Sequence, residues 1–538
     1  MNKKYLVSII GTVSIIGIIA IFLLGGSGVK KSPDELVVAV GTHGGEPKTG
    51  FDPVYGWNYY AEPLIQSTLF KRDNQMNLNN DLATSYTVNP DGLTYDVTIR
   101  DNVKFSDNSS LTAEDVAFTY NKLKEVGASD MDLSNMNSSN IINSTIVEFK
   151  LNEVDSTFIN KLCYIGIIPE ASYNNQTYGK KPIGSGPYKL VQWDEGQQAI
   201  FALNDNYYGI KPAFKKLTMI FLKDDTAFAS AKKGEVDIAE VPLSFTKEKV
   251  NNMTMTLLHS IDTRGISLPY IPDNGTKTLE GHRIGNNVTS DIAIRKALNY
   301  GIDRQKLIDG PLNGGGLKSF DGVSSTLPWF NPDATIEDGK VDDAKQILED
   351  GGWKVGSDGI REKNGLKASF ELYYLSNDQD RQTLAISVSE EAKKLGIEIK
   401  PVGKSWNDIE NFKNSQAVIW GFGGVDPTVI SKLYSSKLIG HAYDNPSGYN
   451  NSKVDNYIEI ATNNLDVNSS YDDWRKVSWD GSTGISPKGD AAWLWLVAID
   501  HSYFIDNSLD ISTETTTLQP HGGDIFGNIY NWKRISVS

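Results

Sequence analysis

Histidine, cysteine and paired acids are the residues whose types could carry chemistry in this chain, and their spacing encodes little of it. The six histidines are His43, His259, His282, His441, His501 and His521, and no two stand at ligand spacing on a helix or in a tight loop. His441, in LIGHAYDNPSGYN, falls in a Gly/Asn/Pro loop after a strand-like run. Sites gather in such loops, where a neutral imidazole could bind an incoming chelated metal; an ordinary surface loop is the alternative. The pairs Asp224-Asp225, Asp342-Asp343 and Asp472-Asp473 could do acid–base work, but among 67 acids such pairs belong to solvated faces. P-loop, HExxH, CxxC, GxSxG and GxGxxG patterns are absent. GGGLKS at 314–319 and GFGG at 421–424 neither follow a strand nor open a helix as a phosphate loop would. Cys163 is the sole cysteine, so no intramolecular disulfide exists, and its apolar neighbours read as core.

Aromatic residues give the stronger binding signal. GWNYY at 56–60, WF at 329–330, IWGFGG at 419–424 and WLW at 493–495 place large flat surfaces near glycines, the material of small-ligand pocket walls. Trp493 and Trp495, two apart in a strand, read as core; Trp57 and Trp420, beside glycines at element ends, read equally as core or site.

The elements that must position these groups are mixed α and β. ELVVAVGTHGG is a strand ending in glycines, the two alternating runs of TYDVTIRDNVKFSD bracket Asp101-Asn102 as a hairpin would, and in LTAEDVAFTYNKLKE Thr112 can cap a helix with Asp115 three residues on. PIGSGPYKLVQWDEG, from Pro182, reads as a turn made possible by the backbone freedom of Gly184 and Gly186. A strand follows, with Tyr188, Leu190 and Gln192 on one face and Lys189, Val191 and Trp193 on the other. Lys215 to Leu222 is a strand, and TAFASAKKGEVDIAEV is a helix stopped at Gly234 with a strand to Val241 behind it. From Asp291 strands and helices alternate, and the tail returns to strand-like runs. The 538 residues suffice for two to four domains of about 100–200 residues. With 39% hydrophobic and 22% charged residues, disorder, collagen and a polytopic membrane protein fit poorly. A net charge of -15 without a basic cluster excludes a nucleic-acid partner. MNKKY followed by the uncharged run Leu6 to Leu24 is an export signal whose length favours an uncleaved anchor, with Gly25 to Gly28 leaving cleavage open. Lysines before the run place the remainder outside the membrane.

In order along the chain, FDPVYGWNYYAEPLIQSTLFK, DLATSYTVNPDGLTYDVTIRDNVKFSDNSSLTAEDVAFTY, PIGSGPYKLVQWDEG, KKGEVDIAEV, DIAIRKALNYGIDRQKLI and DDAKQILEDGGW resemble the extracytoplasmic solute-binding proteins of dipeptide, oligopeptide and nickel ABC importers, family 5. Ser185, where threonine is usual, and Asn108, where the family hairpin has glycine, are departures. The resemblance implies an α/β, two-lobed periplasmic-binding-protein-like fold with an extra subdomain. Residues 1–32 would be signal or anchor, 33–262 lobe I with the extra subdomain at about 53–180, 263–494 lobe II, and 495–538 the segment returning to lobe I. It implies a binding protein rather than an enzyme, monomeric, without cofactor, tethered outside the cytoplasmic membrane or secreted, serving an ABC permease and ATPase. An extracytoplasmic enzyme or chaperone-like adaptor on the same fold is the alternative. The ligand-facing set it implies is Tyr55, Trp57, Trp420, Phe422, Asp426 and His441, with His441 a metal ligand only if the solute is a nickel chelate. Peptide binders carry an acid three residues before the Asp-Pro of lobe II, and here Gly423 stands there. Nickel binders resemble Trp420-Gly421, Asp426-Pro427 and His441, but carry an arginine near LCYIGIIPEASY that this sequence lacks. Peptide and nickel chelate both stay open.

Overall fold

The computed structural model describes residues 32–41, 45–57, 64–73, 76–127, 131–424, 426–513 and 525–535. The Leu6–Leu24 run, His43 and His521 lie outside them; among the described residues no helix is long and apolar enough to cross a membrane.

Two sheets organise the chain. The first has seven strands, edge to edge Met253–Leu258, His501–Asp506, Ile238–Val241, Glu35–Val40, Lys216–Phe221, Gln198–Leu203 and Tyr188–Asp194. ELVVAV is apolar along almost its whole length because it sits between two parallel neighbours. The crossover helix Asp224–Lys233 ends, as expected, at Gly234 in the left-handed region, φ +71. The second sheet has six strands: Gly316–Lys318, Trp493–Ile499, Thr263–Ser267, Ala417–Phe422, Ser369–Leu375 and Glu398–Lys404. Helices Ile292–Gly301, Val341–Asp350 and Gln379–Lys393 contribute to the core on one of its faces. A separate antiparallel sheet of Ala83–Val88, Thr94–Ile99, Ile146–Leu151 and Met136–Asn143 packs on helix Ala113–Val126, whose capping box is formed by Thr112 and Asp115.

The chain leaves the seven-stranded sheet after Leu258 and enters the six-stranded one at Thr263, then crosses back at Asp500. The expected edge between 494 and 495 therefore falls inside a strand: Trp493–Ile499 bonds along its length to Thr263–Ser267 and Gly316–Lys318, and the return begins at His501. The two crossings are tied together, with His259 Nδ1 2.8 Å from Asp500 Oδ1, and the Ser260 hydroxyl donating to the Ile499 carbonyl.

Three local expectations change. Thr94–Ile99 is paired on both edges, by Ala83–Val88 and Ile146–Leu151, so the run after Asp101-Asn102 cannot join it as a hairpin; it closes its own loop by a Lys104–Ser110 bridge. In Tyr188–Asp194 the register slips between Leu190 and Gln192. The bulge leaves Val191 exposed and brings Trp193 to the core side with Tyr188 and Leu190, its ring 5.3 Å from that of Phe51. Finally, neither Gly184 nor Gly186 has positive φ. They are glycines because the chain passes so close to Ile65 that a Cβ on Gly184 would stand 2.0 Å from the Ile65 carbonyl oxygen.

Candidate functional site

Period-two alternation builds an aromatic wall on the second sheet. In AVIWGF, Ala417 and Ile419 join the helix-covered core, while Val418, Trp420 and Phe422 point the other way. In WLWL, Leu494 and Leu496 join the helices, while Trp493 and Trp495 face with Trp420. That second face shares one apolar cluster with residues of the four-stranded subdomain, among them Phe149, Phe158 and Tyr164. The wall is continuous. Trp493 and Trp495 stack at 4.8 Å and 8°, Phe422 stands edge-on to Trp493 at 5.8 Å, and Trp420 is 6.0 Å from Phe422. Trp406 stacks on Trp420 at 5.7 Å, and Tyr443 meets Trp420 edge-on at 6.0 Å; these two outer rings are exposed. Trp420 is 3% exposed, and its indole N–H donates to Ser267 Oγ at 2.8 Å. Trp495 lies against Gly265 and Gly322, and its N–H donates to the Tyr434 hydroxyl at 2.6 Å.

The lobes are in contact. Ser156 of the subdomain donates its backbone N–H to the Thr462 carbonyl at 2.8 Å and its hydroxyl to the Ala461 carbonyl at 3.0 Å, and Leu465 presses on Gly92. Between them, the guanidinium of Arg72, on strand Phe70–Arg72 of the first lobe, lies among Cys163, Tyr164, Tyr471 and Asp426. Burial works against its charge, and these four groups outweigh burial and hold its pKa up. Burial also pushes the Tyr164 hydroxyl well above the usual tyrosine range, with Cys163 adding to the shift and Arg72 opposing it.

The expected site residues separate. Trp420 and Phe422 are in the wall. Asp426 lies just before helix Thr428–Tyr434, accepting from the Thr428 N–H at 2.8 Å, and is near Arg72. Tyr55 ends the short helix Pro53–Tyr55 that Asp52 caps, half-buried against the shared cluster. Trp57 turns instead into the first lobe, edge-on to Phe51 at 4.7 Å. His441 is exposed in its loop, its carbonyl accepting from Asp444 N–H at 2.8 Å, and among the described residues its imidazole makes no hydrogen bond.

Arg72 is the residue that the sequence reading missed. It arrives from a remote strand, bonded to Asn160 just before LCYIGIIPEASY and lying beside Tyr164 within that segment. Locally, Lys-Arg followed by Asp-Asn reads as a solvated turn, and no sequence signal marks its burial.

Among the described residues, one group has metal-ligand chemistry: Glu280, His282 and Glu410, with ligand atoms within 4.8 Å of one another, beside the His441 loop. Buried Lys413 already serves these carboxylates, 2.5 Å from Glu410 and 3.6 Å from Glu280, while Ala442 N–H donates to Glu280 at 3.0 Å. The arrangement is a satisfied ion network.

Comparison with known proteins agrees with this architecture. Residues 77–442 match the family model of bacterial extracellular solute-binding proteins, family 5 Middle. Protein XP55 of Streptomyces lividans is 31% identical over 517 residues, 92% of this chain and 90% of that protein. The oligopeptide-binding protein AppA of Bacillus subtilis is 30% identical over 426 residues, 73% of this chain and 76% of that one. Among solved structures, NikZ from Campylobacter jejuni in complex with Ni(L-His) superposes with a TM-score of 0.74 at 24% identity, covering 94% of this chain and 100% of that one. With an aromatic wall on one sheet facing a subdomain of the other lobe, and this match along most of its length, the chain belongs to the bacterial extracellular solute-binding proteins of family 5.

Proposed function

We propose that this chain is the substrate-binding component of an ABC importer, capturing a short peptide or a nickel chelate between its lobes and delivering it to a membrane permease. The observation that carries the reading is the wall of Trp420, Phe422, Trp493 and Trp495, which faces the opposite lobe and continues to exposed Trp406 and Tyr443. Aromatic walls with few polar groups suit a small solute, and a ligand touching both lobes favours their closure. Relatives support both solutes, AppA being oligopeptide-binding and NikZ holding Ni(L-His). The protein works as a monomer without a resident cofactor, held by its N-terminal segment at the outer face of the cytoplasmic membrane.

Calorimetry of wild type, Trp420→Ala and His441→Ala with nickel–histidine and with a mixed peptide pool tests this. Peptide binding predicts that Trp420→Ala costs more, through apolar area at about 25 cal/mol per Å². Nickel binding predicts that His441→Ala abolishes metal retention. No heat with either ligand, or hydrolysis of the peptides, refutes capture.

A further inference from the structure

Nine asparagines stand in Asn-x-Ser/Thr sequons, and all nine are exposed, while none of the buried asparagines belongs to one. Two of them, Asn137 and Asn143, lie on one strand, Met136–Asn143, the outer edge of the four-stranded subdomain sheet. An open edge is a template for pairing with another chain, and charge or proline usually blunts it. MNSSNIIN has neither. Helix Ala113–Val126 guards the first half of this edge: the Asn121 side chain donates to the Ser139 carbonyl at 2.8 Å and accepts from the Ser139 N–H at 3.0 Å, and Lys124 Nζ donates to the Asn137 carbonyl at 2.6 Å. Among the described residues no side chain guards the second half in this way. There the register slips between Ile141 and Asn143, and both isoleucines are open, Ile141 at 48% and Ile142 at 55% exposure. The two sequons also differ. Asn143 opens the turn into Ile146–Leu151, where its Oδ1 accepts from the Thr145 N–H at 2.9 Å and hydroxyl at 3.1 Å; among the described residues its Nδ2 has no acceptor. Asn137 instead donates its Nδ2–H to Asn152 Oδ1 at 3.0 Å, and Ser139 of its sequon is buried.

We propose that Asn143 carries an N-linked glycan, which covers the bare half of the edge with Ile141 and Ile142. In the transfer, Nδ2 bonds to the anomeric carbon of a lipid-diphosphate-linked oligosaccharide. The bond from that carbon to the diphosphate oxygen breaks, the lipid diphosphate leaves with the electron pair, and the amide gives one proton to a base of the membrane transferase. The acceptor motif belongs to surface loops of exported proteins, and the family is extracellular. A bulky, solvated glycan at the turn bars a second chain from the ladder as a charge or a proline would. The modification is independent of which solute the lobes capture.

The test uses the full-length protein purified in mild detergent from its own cells. Trypsin cuts after Lys124 and Lys150, so one peptide, 125–150, carries both sequons, and electron-transfer fragmentation locates added mass on either asparagine. A glycan on Asn143 is expected in wild type and in Thr145→Ser, which keeps the sequon. It should be lost in Asn143→Asp, whose carboxylate can still accept both turn bonds. Asn143 bare in wild type, whether or not Asn137 is modified, overturns the proposal. Shielding is read with the same chain made in a host that has no such transferase. Held below its unfolding temperature, this bare form should lose soluble monomer faster than the glycosylated one, and the double variant Ile141→Thr, Ile142→Thr should abolish the difference. Equal loss from the two forms, or no recovery in the isoleucine variant, overturns the shielding.

Discussion

Replacing Gly265 by alanine tests whether the aromatic wall depends on close approach of the backbone. Gly265 sits opposite Trp495 in the strand register, and a Cβ built on it would stand 2.3 Å from Trp495 Cε3 and 2.7 Å from Cδ2. The ring cannot retreat, because a Cβ on Gly322 would stand 2.6 Å from Trp495 Cζ2, Trp493 stacks at 4.8 Å, and the indole N–H is fixed on Tyr434 at 2.6 Å. One added methyl group must therefore push Trp495 off its stack and strain its hydrogen bond. Overpacking of a dense core costs about 1–3 kcal/mol. Loss of a buried hydrogen bond adds roughly 1 kcal/mol, so Gly265→Ala should lose roughly 2–4 kcal/mol of unfolding free energy. Urea titration followed by tryptophan fluorescence reads the loss, and Trp495→Leu in the same chain should recover part of it, a coupling of about 1–3 kcal/mol in a double-mutant cycle. A Gly265→Ala protein within about 0.5 kcal/mol of wild type, the level of ordinary surface substitutions, refutes the account of the wall.

Gly184→Ala should cost at least about 2 kcal/mol through its collision with the Ile65 carbonyl, whereas Gly196→Ala, with nothing near its Cβ, pays only for its φ of +75; equal losses in urea unfolding would remove the close-approach explanation. Burial raises the Asp321 carboxyl to about 6 from the ordinary 3.8, so the folded state holds its proton more tightly, and stability from this group is full below pH 4 and lost as pH rises through 6. Asp321→Asn should therefore stabilise at pH 7.5, by roughly 1–3 kcal/mol, and bring little at pH 4; destabilisation at pH 7.5 would contradict this. Leu465→Glu puts a charge against Gly92 in the lobe contact and should weaken ligand binding about five-fold, for ~1 kcal/mol of closure, while the melting temperature without ligand stays put. Unchanged affinity would mean that this contact has no part in closure.

What was legible in the sequence is what depends on near neighbours. Thr112 and Asp115 announce their helix because both halves of a capping box lie within one turn. Alternation in AVIWGF already separates Trp420 and Phe422 from Ala417 and Ile419. The failures share a different cause: each is decided by a partner far along the chain. The bulge at Val191 exists only against Gln198–Leu203, the reason for Gly184 is the path of Ile65, and Arg72 is buried by Asn160, Tyr164, Tyr471 and Asp426. The misplaced boundary at 494 had a local signal after all. In the apolar run from Ala491 to Ile505, Asp500 is the one acid, and it marks the crossing between sheets.

That crossing bears on how closure can be powered. The segments between the lobes are short, and the bonds from His259 to Asp500 and from Ser260 to the Ile499 carbonyl join outgoing and returning strands, so the pair bends as one strap. Asp262 ties it further, accepting from Arg264 and holding His501 Nε2 at 3.4 Å, with both partners buried. None of these bonds spans the face where the lobes meet, so none need change when they separate. The free energy that separates open from closed must then come from the meeting face itself: apolar area on the wall of Trp420 and Phe422, the two Ser156 bonds, and the charge at Arg72. The first two favour closure with or without a solute. Burial of the Arg72 charge opposes it, but Asp426 and the hydroxyls of Tyr164 and Tyr471 around the guanidinium outweigh that burial. The apolar area a solute adds between the lobes is therefore what shifts the balance towards the closed form.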